Sequence, residues 1–441
     1  MAGTTPGTPR VLRAMNDRAA LELLLTHGPL SRSRIGRLTG LSKPTASQLL
    51  ARLQAAGLVV VTGTSQGRPG PNAQLYALNP AAAHVAGLDV TTARIRAAVA
   101  DVTGRTVGTF ELPAPTGGKA RRHPGEPGGP GDAGETGDAG ETGDAVQRVV
   151  AAVDGAAKAA GLTRDALDRV VIGTPGAFDP RTGRLRYASH LPGWHSPTLL
   201  EELAAALPMP LEYDNDVNLA AVAEQRLGAA RGHEDFVLLW NEQGLGAALV
   251  LGGRLHRGWT GGAGEVGFLP VPGAPLVRGV ARAGGGGFQE LAGAHTLVRL
   301  GRELGLEPPP GPDEEAAADL LARAAEHAGD ATGGDGDGYD AGTGAGTGGP
   351  YGELLRHTAT SLATGLAALV AVLDPELVIL SGGVLTAGGE PLRALVQREL
   401  AELAAPRPRL VLGAVTGHPV LSGALESALA ATRDEVFDTS R

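Results

Sequence analysis

Residues 28–59 read GPLSRSRIGRLTGLSKPTASQLLARLQAAGLV. Two helices are written into this stretch. The first is expected to begin at Ser31, whose hydroxyl can cap the free N–H groups of a first turn, to bury Ile35 and Leu38, and to stop at Gly40. The second follows Ser42. Pro44 in its first turn costs little, because those N–H groups have no helical partner, and Ala46, Leu49, Leu50 and Leu53 recur at helical spacing. That apolar side leaves Lys43, Thr45, Ser47, Gln48 and Arg52 on a polar one. Taken alone, such a face is usually an ordinary solvated surface.

The flanks give it a context. Upstream, a helix from about Arg13 to His27 carries Leu21, Leu24 and Leu25 on one side and ends at the breaker pair Gly28-Pro29. Downstream, LVVVTGTSQGRPGPNAQLYAL (58–78) reads as a strand, a Gly/Ser/Pro turn cluster containing Arg68, and a second strand. Three short helices followed by a two-stranded hairpin outline a winged helix-turn-helix over residues 1–79.

Charge supports that division. The chain of 441 residues has a net charge of −9, which by itself argues against a nucleic-acid binder. Yet the first 71 residues hold nine Lys/Arg and two Asp/Glu, a net of +7, against −16 for the remainder. A basic module with an anionic partner, carried by an acidic body, follows from such asymmetry. The absence of cysteine excludes disulfides and thiolate-dependent sites. MAGTTPGTPR lacks an apolar signal core and no run of about 18 apolar residues occurs, so a cytoplasmic protein with no membrane partner is expected.

The length suits two or three domains. Beyond residue 80 the texture becomes α/β. HVAGLDVTTARIRAAVADVTGRTVGTFEL (84–112) reads as antiparallel strands turning at Thr103-Gly104; DRVVIGTPG (168–176), DFVLLWNEQGLGAALVLGGRL (235–255) and ELVILSGGV (376–384) read as further buried strands between helical runs. Two segments, about 113–144 with its repeated GDAGET and about 328–350, are too poor in apolar residues to offset the entropy of ordering, and are expected to be disordered surface insertions.

The body contains GTPGAFD (173–179), LPGWHSP (191–197), YDNDVN (213–218), GGAGEVGF (261–268) and ILSGGV (379–384). In that order, behind a helix-turn-helix, they make the chain resemble the ROK family of bacterial sugar kinases and sugar-responsive transcriptional regulators, particularly regulators of the xylose or N-acetylglucosamine repressor type. The resemblance implies a winged helix-turn-helix followed by an α/β actin-like (ribonuclease H-like) two-lobed domain. Its lobes would be 80–220 and 221–441, with the last helix returning to the first lobe. It implies sugar or sugar-phosphate contacts at Asn215, Asp216, Glu265 and Glu290, since carboxylates offer several acceptor sites to neighbouring hydroxyls. His190 stands where relatives often have a polar sugar contact, although an isolated histidine is more often structural. Ordinary structural roles compete at each position: a helix N-cap for Asp216, a solvated carboxylate for Glu265, a first-turn acid favoured by the helix dipole for Glu290.

Departures from the family matter as much. Kinases open the first lobe with a D-x-G-G-T-type phosphate loop; here Asp89 is followed by Thr91, Thr92 and Ala93 where glycine, glycine and threonine stand. The second phosphate loop, G-T-G-x-G, reads EQGLG, with Glu242 and Gln243 in place of glycine and threonine. At about 4 Å and an effective dielectric of 20, a carboxylate and a phosphate charge repel by roughly 4 kcal/mol. The family's zinc-binding histidine and three cysteines are replaced by Phe268, Ala281, Ala283 and Phe288, which suggests an apolar contact in place of the metal. No cofactor, metal or catalytic residue is therefore expected.

The resulting expectation is a repressor of carbohydrate uptake or catabolism genes, acting as a dimer or tetramer on a pseudo-palindromic double-stranded DNA operator. Lys43, Thr45, Ser47 and Gln48, with Arg52 further along, would lie on the recognition helix, while Arg32, Arg34 and Arg37 touch phosphates. Arg68 fits the adjacent minor groove and the backbone equally well. An effector would act by linkage, favouring a body geometry that disagrees with the operator's half-site spacing. A sugar kinase with an attached DNA-binding domain, and a regulator with a vestigial pocket, are the alternatives.

Overall fold

The structure, a computed structural model, describes residues 9–64, 73–114, 136–179, 184–186, 191, 193–194, 196, 198–278, 286–330 and 348–440. Arg68, His190, Ala281 and Ala283 lie outside the described residues.

The first helix, α1, spans Pro9–His27, and the strand β1 (Leu30–Ser31) leads into α2 (Arg32–Thr39). The Ser31 hydroxyl accepts the Arg34 N–H at 3.4 Å, and Gly40, at φ 71°, returns its N–H to the Gly36 carbonyl. Ile35 is fully buried, but Leu38 is 44% exposed, against expectation. Burial on α2 centres on Ile35 and Gly36, over which Ala46 packs; at 100° per residue Leu38 is turned roughly 110° from that direction. The next helix, α3 (Lys43–Ala55), is capped by Ser42, whose hydroxyl meets the Thr45 N–H at 3.4 Å and the Thr45 hydroxyl at 2.8 Å. Strands β2 (Val59–Thr64) and β3 (Gln74–Leu78) form the wing. The sheet has three strands in the order β1–β3–β2, not two, because Leu30 and Ser31 pair with Tyr76 and Leu75. A two-residue strand has no periodicity to read.

Next come β4 (His84–Val90), β5 (Arg94–Asp101), β6 (Thr106–Pro113), α4 (Thr136–Ala159) and β7 (Arg169–Thr174). Helix α4 lies so close on the sheet that a Cβ on Gly108 would sit 2.4 Å from the Ala156 carbonyl. It starts inside the stretch expected to be an unstructured insertion over 113–144, and β6 reaches Pro113. The physical reason is propagation. Val149, Ala152, Val153 and Ala156 anchor the helix in the core, and each further residue then costs little to add, even a GDAGET one. A small hairpin, β8 (Ala177–Asp179) with β9 (Arg184–Arg186), precedes α5 (Leu199–Ala206) and β10 (Leu211–Asn215). The first large sheet runs β10–β7–β4–β5–β6.

A second sheet repeats the plan. After α6 (Asp216–Leu227) come β11 (Phe236–Asn241), β12 (Leu245–Leu251) and β13 (Arg254–Leu255), then α7 (Phe288–Ala292), α8 (Ala294–Glu303), α9 (Asp313–Asp330) and α10 (Pro350–Leu373). The chain continues through β14 (Leu377–Ser381), α11 (Gly383–Ala387), α12 (Gly389–Leu403), β15 (Arg409–Leu412) and α13 (Pro419–Val436). The order is β13–β12–β11–β14–β15, with β11–β12–β13 antiparallel and β11–β14–β15 parallel. Numbering strands within each sheet, both read 3-2-1-4-5, the duplicated ribonuclease H-like plan. Helix α9 runs to Asp330, beyond the expected start of the second insertion at 328. Helix α10 is long and apolar enough to cross a membrane, but Leu354, Leu355, Leu362 and Leu366 bury its inner side in the core.

Two compact units result: Met1–Gly173, Thr198–Tyr213 and Ala424–Arg441 form one, Thr174–Pro197 and Asp214–Gly423 the other. The winged helix thus groups with the first sheet, and the division after 220 expected from the sequence falls after Tyr213.

Candidate DNA-binding face and effector site

On the winged helix, Ala46, Leu49, Leu50 and Leu53 of α3 point into the core. Their burial leaves Lys43, Thr45 and Gln48 exposed, with Arg32, Arg34 and Arg37 exposed on α2. Arg32 donates to the Ser47 hydroxyl at 3.1 Å, and that hydroxyl donates to the Lys43 carbonyl at 2.9 Å, which joins the two helices along the polar side. The Thr45 hydroxyl is held by Ser42. Arg52, also expected on DNA, donates at 2.6 Å to Asp17, whose carboxylate is buried, while its own side chain stays 42% exposed.

In the second unit the segments that carry Asn215, Asp216, Glu265 and Glu290, the expected sugar contacts, meet at the start of β12. A Cβ on Gly246 would lie 3.1 Å from Val217 at the head of α6. The Ala247 N–H donates to the Gly264 carbonyl at 2.8 Å, and the Leu245 N–H to Gln289 at 2.6 Å. Gly264 adopts φ 96°, where a side chain would both strain the backbone and collide with the Ala247 carbonyl at 1.9 Å. The strand's first three residues therefore hold α6, the 258–268 loop and α7 together.

Asn215, not Asp216, caps α6. Its side-chain oxygen accepts the Val217 and Asn218 N–H groups at 2.9 and 3.2 Å, and its amide donates to the Gly176 carbonyl at 3.0 Å. Most of its hydrogen-bonding capacity is thus spent on the fold. With capping done by its neighbour, Asp216 is the first helical residue, its carboxylate also on the Val217 N–H at 2.8 Å. Asp214, which the sequence reading did not single out, organises the strand end. It accepts from Asn218 at 2.9 Å and from Arg257 at 3.1 and 2.5 Å. Arg257 opens the loop that leads to Glu265, so one ion pair ties that loop to the head of α6.

Glu265 is half-buried, and its side chain has no hydrogen-bond partner among the described residues. Desolvation pushes its carboxyl up to about 7. This is not the solvated carboxylate of the ordinary reading. Glu290 lies in the first turn of α7, 3.3 Å from the His295 ring, a partner that sequence spacing did not suggest. Among the described residues no group of His, Asp and Glu could hold a metal ion. At the position expected to correspond to a zinc site, Phe288 is fully buried and its ring rests on Gly365 of α10, while Phe268 is half-buried.

In the two segments expected to correspond to kinase phosphate loops, several N–H groups bind within the chain, Glu242 N–H donating to the Gly244 carbonyl at 3.2 Å. In the β4–β5 turn, Thr91 N–H donates to the Arg94 carbonyl at 2.9 Å and Arg94 N–H to the Thr91 hydroxyl at 3.2 Å. Asp89, at the end of β4, is buried; desolvation raises its carboxyl to about 6 against the opposing pull of Arg96 and Arg94. In the second unit, the carboxylate of Glu242 accepts the Gly383 N–H at 3.1 Å.

Comparison with known proteins agrees with these features. Residues 141–289 match the ROK family and residues 9–68 the MarR family. The chain is 26% identical over 318 residues to the glucokinase of Streptomyces coelicolor, covering 71% of this chain and 87% of that one. It is 23% identical over 265 residues to the "Putative xylose repressor" of Caldicellulosiruptor sp., covering 60% and 61%. Among solved structures, a ROK family transcriptional regulator, homolog of the E. coli MLC protein, superposes with a TM-score of 0.67 at 17% identity over 97% of this chain and 98% of that one. The chain thus carries a ROK-family domain behind N-terminal residues that form a winged helix-turn-helix of the MarR type.

Proposed function

We propose that this protein is a sequence-specific transcriptional regulator, a repressor of genes for carbohydrate uptake or catabolism, whose ROK domain senses a sugar or sugar phosphate without phosphorylating it. The observation that carries the reading is a basic α2–α3 face, with Arg34, Arg37, Lys43 and Gln48 exposed, on a chain whose Gly383 amide already binds the Glu242 carboxylate. Glu242 takes the place of an anion at the Gly383 amide, so a nucleotide phosphate would meet a carboxylate there. A relative bearing a repressor's name supports the same assignment.

Arg34 and Arg37 would contact phosphates, and Lys43 and Gln48, with Thr45 and Ser47, the groove. Asp216, Glu265 and Glu290, with Asn215, would receive sugar hydroxyls. A single recognition helix reads few base pairs, so the protein works as a dimer or tetramer on a two-fold operator. Genome-wide mapping of bound sites, followed by thermal shift with a panel of sugars and sugar phosphates, tests the reading. Sites beside carbohydrate genes and a saturable shift with one sugar are expected; binding without positional preference would defeat it.

A second reading has an observation in its favour. Asp216 matches the kinases' base, and a glucokinase aligns over most of the body. ATP-dependent phosphorylation of a hexose, lost in Asp216→Asn, would establish that reading in place of the first.

A further inference from the structure

The last residues of the chain belong to the DNA-binding domain. Phe437, one residue beyond α13, is 2% exposed and sits in one apolar cluster with Leu21 and Leu24 of α1, Leu50 and Leu53 of α3, and Val102 of the β5–β6 turn. Two residues on, the Thr439 hydroxyl donates to Asp17 at 3.0 Å. The other oxygen of the same carboxylate accepts Arg52 of α3 at 2.6 Å. Asp17 is 3% exposed, so it is a buried charge satisfied by one donor from the recognition helix and one from the C-terminus. The tail is itself anchored: Arg433 donates to the Val102 carbonyl at 2.9 Å, and Asp434 pairs with Arg18 on α1.

We propose that Asp17, held by Thr439 and Phe437, is a positioning residue for DNA recognition, setting the lie of α3 through Arg52. The proposal rests on reading α3 as the recognition helix. A buried carboxylate bound from two sides tolerates little displacement, since moving either donor leaves a desolvated charge partly unpaired. Leu21, Leu24, Ile35, Leu49 and Leu50 of the winged helix make up much of the same cluster, so the domain keeps apolar partners when Phe437 is cut back. Neither Phe437 nor Thr439 is charged. Their loss therefore leaves the electrostatic attraction to any duplex unchanged, while base readout, which needs side chains placed within hydrogen-bond reach, suffers.

The test compares two DNAs on the full chain. One is the duplex enriched from a random-sequence pool by the unmodified protein; the other is poly(dI-dC). Phe437→Ala should weaken binding to the enriched duplex by about ten-fold or more, the scale of one lost base contact, while affinity for poly(dI-dC) stays within about two-fold. Thr439→Val should move in the same direction, and Phe437→Leu should restore most of the loss. Should Phe437→Ala fail to fold, Thr439→Val, which preserves the core, decides alone. Unchanged affinity for the enriched duplex, or equal loss on both DNAs, overturns the proposal. If the unmodified protein enriches no duplex, the DNA-binding reading itself has failed.

Discussion

Replacing Glu265 by glutamine probes the candidate effector site without needing to know the effector. Burial raises this carboxyl from 4.5 to about 7. The folded chain thus holds its proton more tightly than the unfolded chain, and between those two values it binds more protons. Unfolding free energy must then fall as pH rises through that window. Below it both states are protonated and nothing is lost; above it the penalty is constant. A shift of this size corresponds to about 3 kcal/mol at most. Glutamine has the same shape and cannot ionise, so Glu265→Gln should match the wild type at pH 4.5 and exceed it by up to about 3 kcal/mol at pH 8. All three tryptophans, Trp194, Trp240 and Trp259, lie in the second unit, so urea unfolding followed by fluorescence reports on the unit that holds Glu265. The difference between the two proteins at each pH cancels the other titrating groups. Parallel stability profiles from pH 5 to 8.5 would refute the claim that this carboxyl is desolvated. A sugar hydroxyl donating to it favours the ionised form, so effector affinity should rise between pH 5 and 7, level off above, and lose that dependence in the variant.

Arg34→Ala should reduce the slope of log affinity against log salt by about one counterion equally on all sequences, whereas Gln48→Ala should cost about 1–3 kcal/mol and relax preference at one base position, both read by titration across salt concentrations. Equal effects of the two changes on every duplex would remove Gln48 from the groove. Gly264→Ala forces a Cβ toward the Ala247 carbonyl at a backbone angle hostile to side chains, so it should destabilise the second unit by about 2 kcal/mol or more and abolish any sugar-dependent thermal shift. Asp89→Asn removes a buried acid raised to about 6; by the same sign argument, the gain in stability over wild type should grow from pH 4 to pH 7, and a flat difference would speak against burial of its charge.

What could be read along the chain was what local chemistry decides. Ser31, Gly40, Ser42 and Pro44 bound the two helices of the DNA-binding turn because capping needs only neighbours a few residues away. The buried strands of both sheets, and the apolar side of α3, follow from periodicity in the same way. The strands β8, β9, β10 and β15 were not singled out, being three to five residues long. Function was legible where several motifs occurred in order. The residues that determine what those motifs can do were not legible. Arg257 reaches Asp214 across 43 residues, His295 meets Glu290 only because α7 and α8 pack together, and Glu265 acquires its raised carboxyl from burial that no window reveals. Arg52 illustrates the limit most clearly. Helix spacing puts it about 40° from Gln48, on the side expected to face DNA; in the folded chain it pairs with Asp17, and Thr439, at the far end of the sequence, shares that carboxylate. Helix spacing says which side a residue occupies, but the partner waiting there comes from distant chain segments, and only their packing brings the charges within reach.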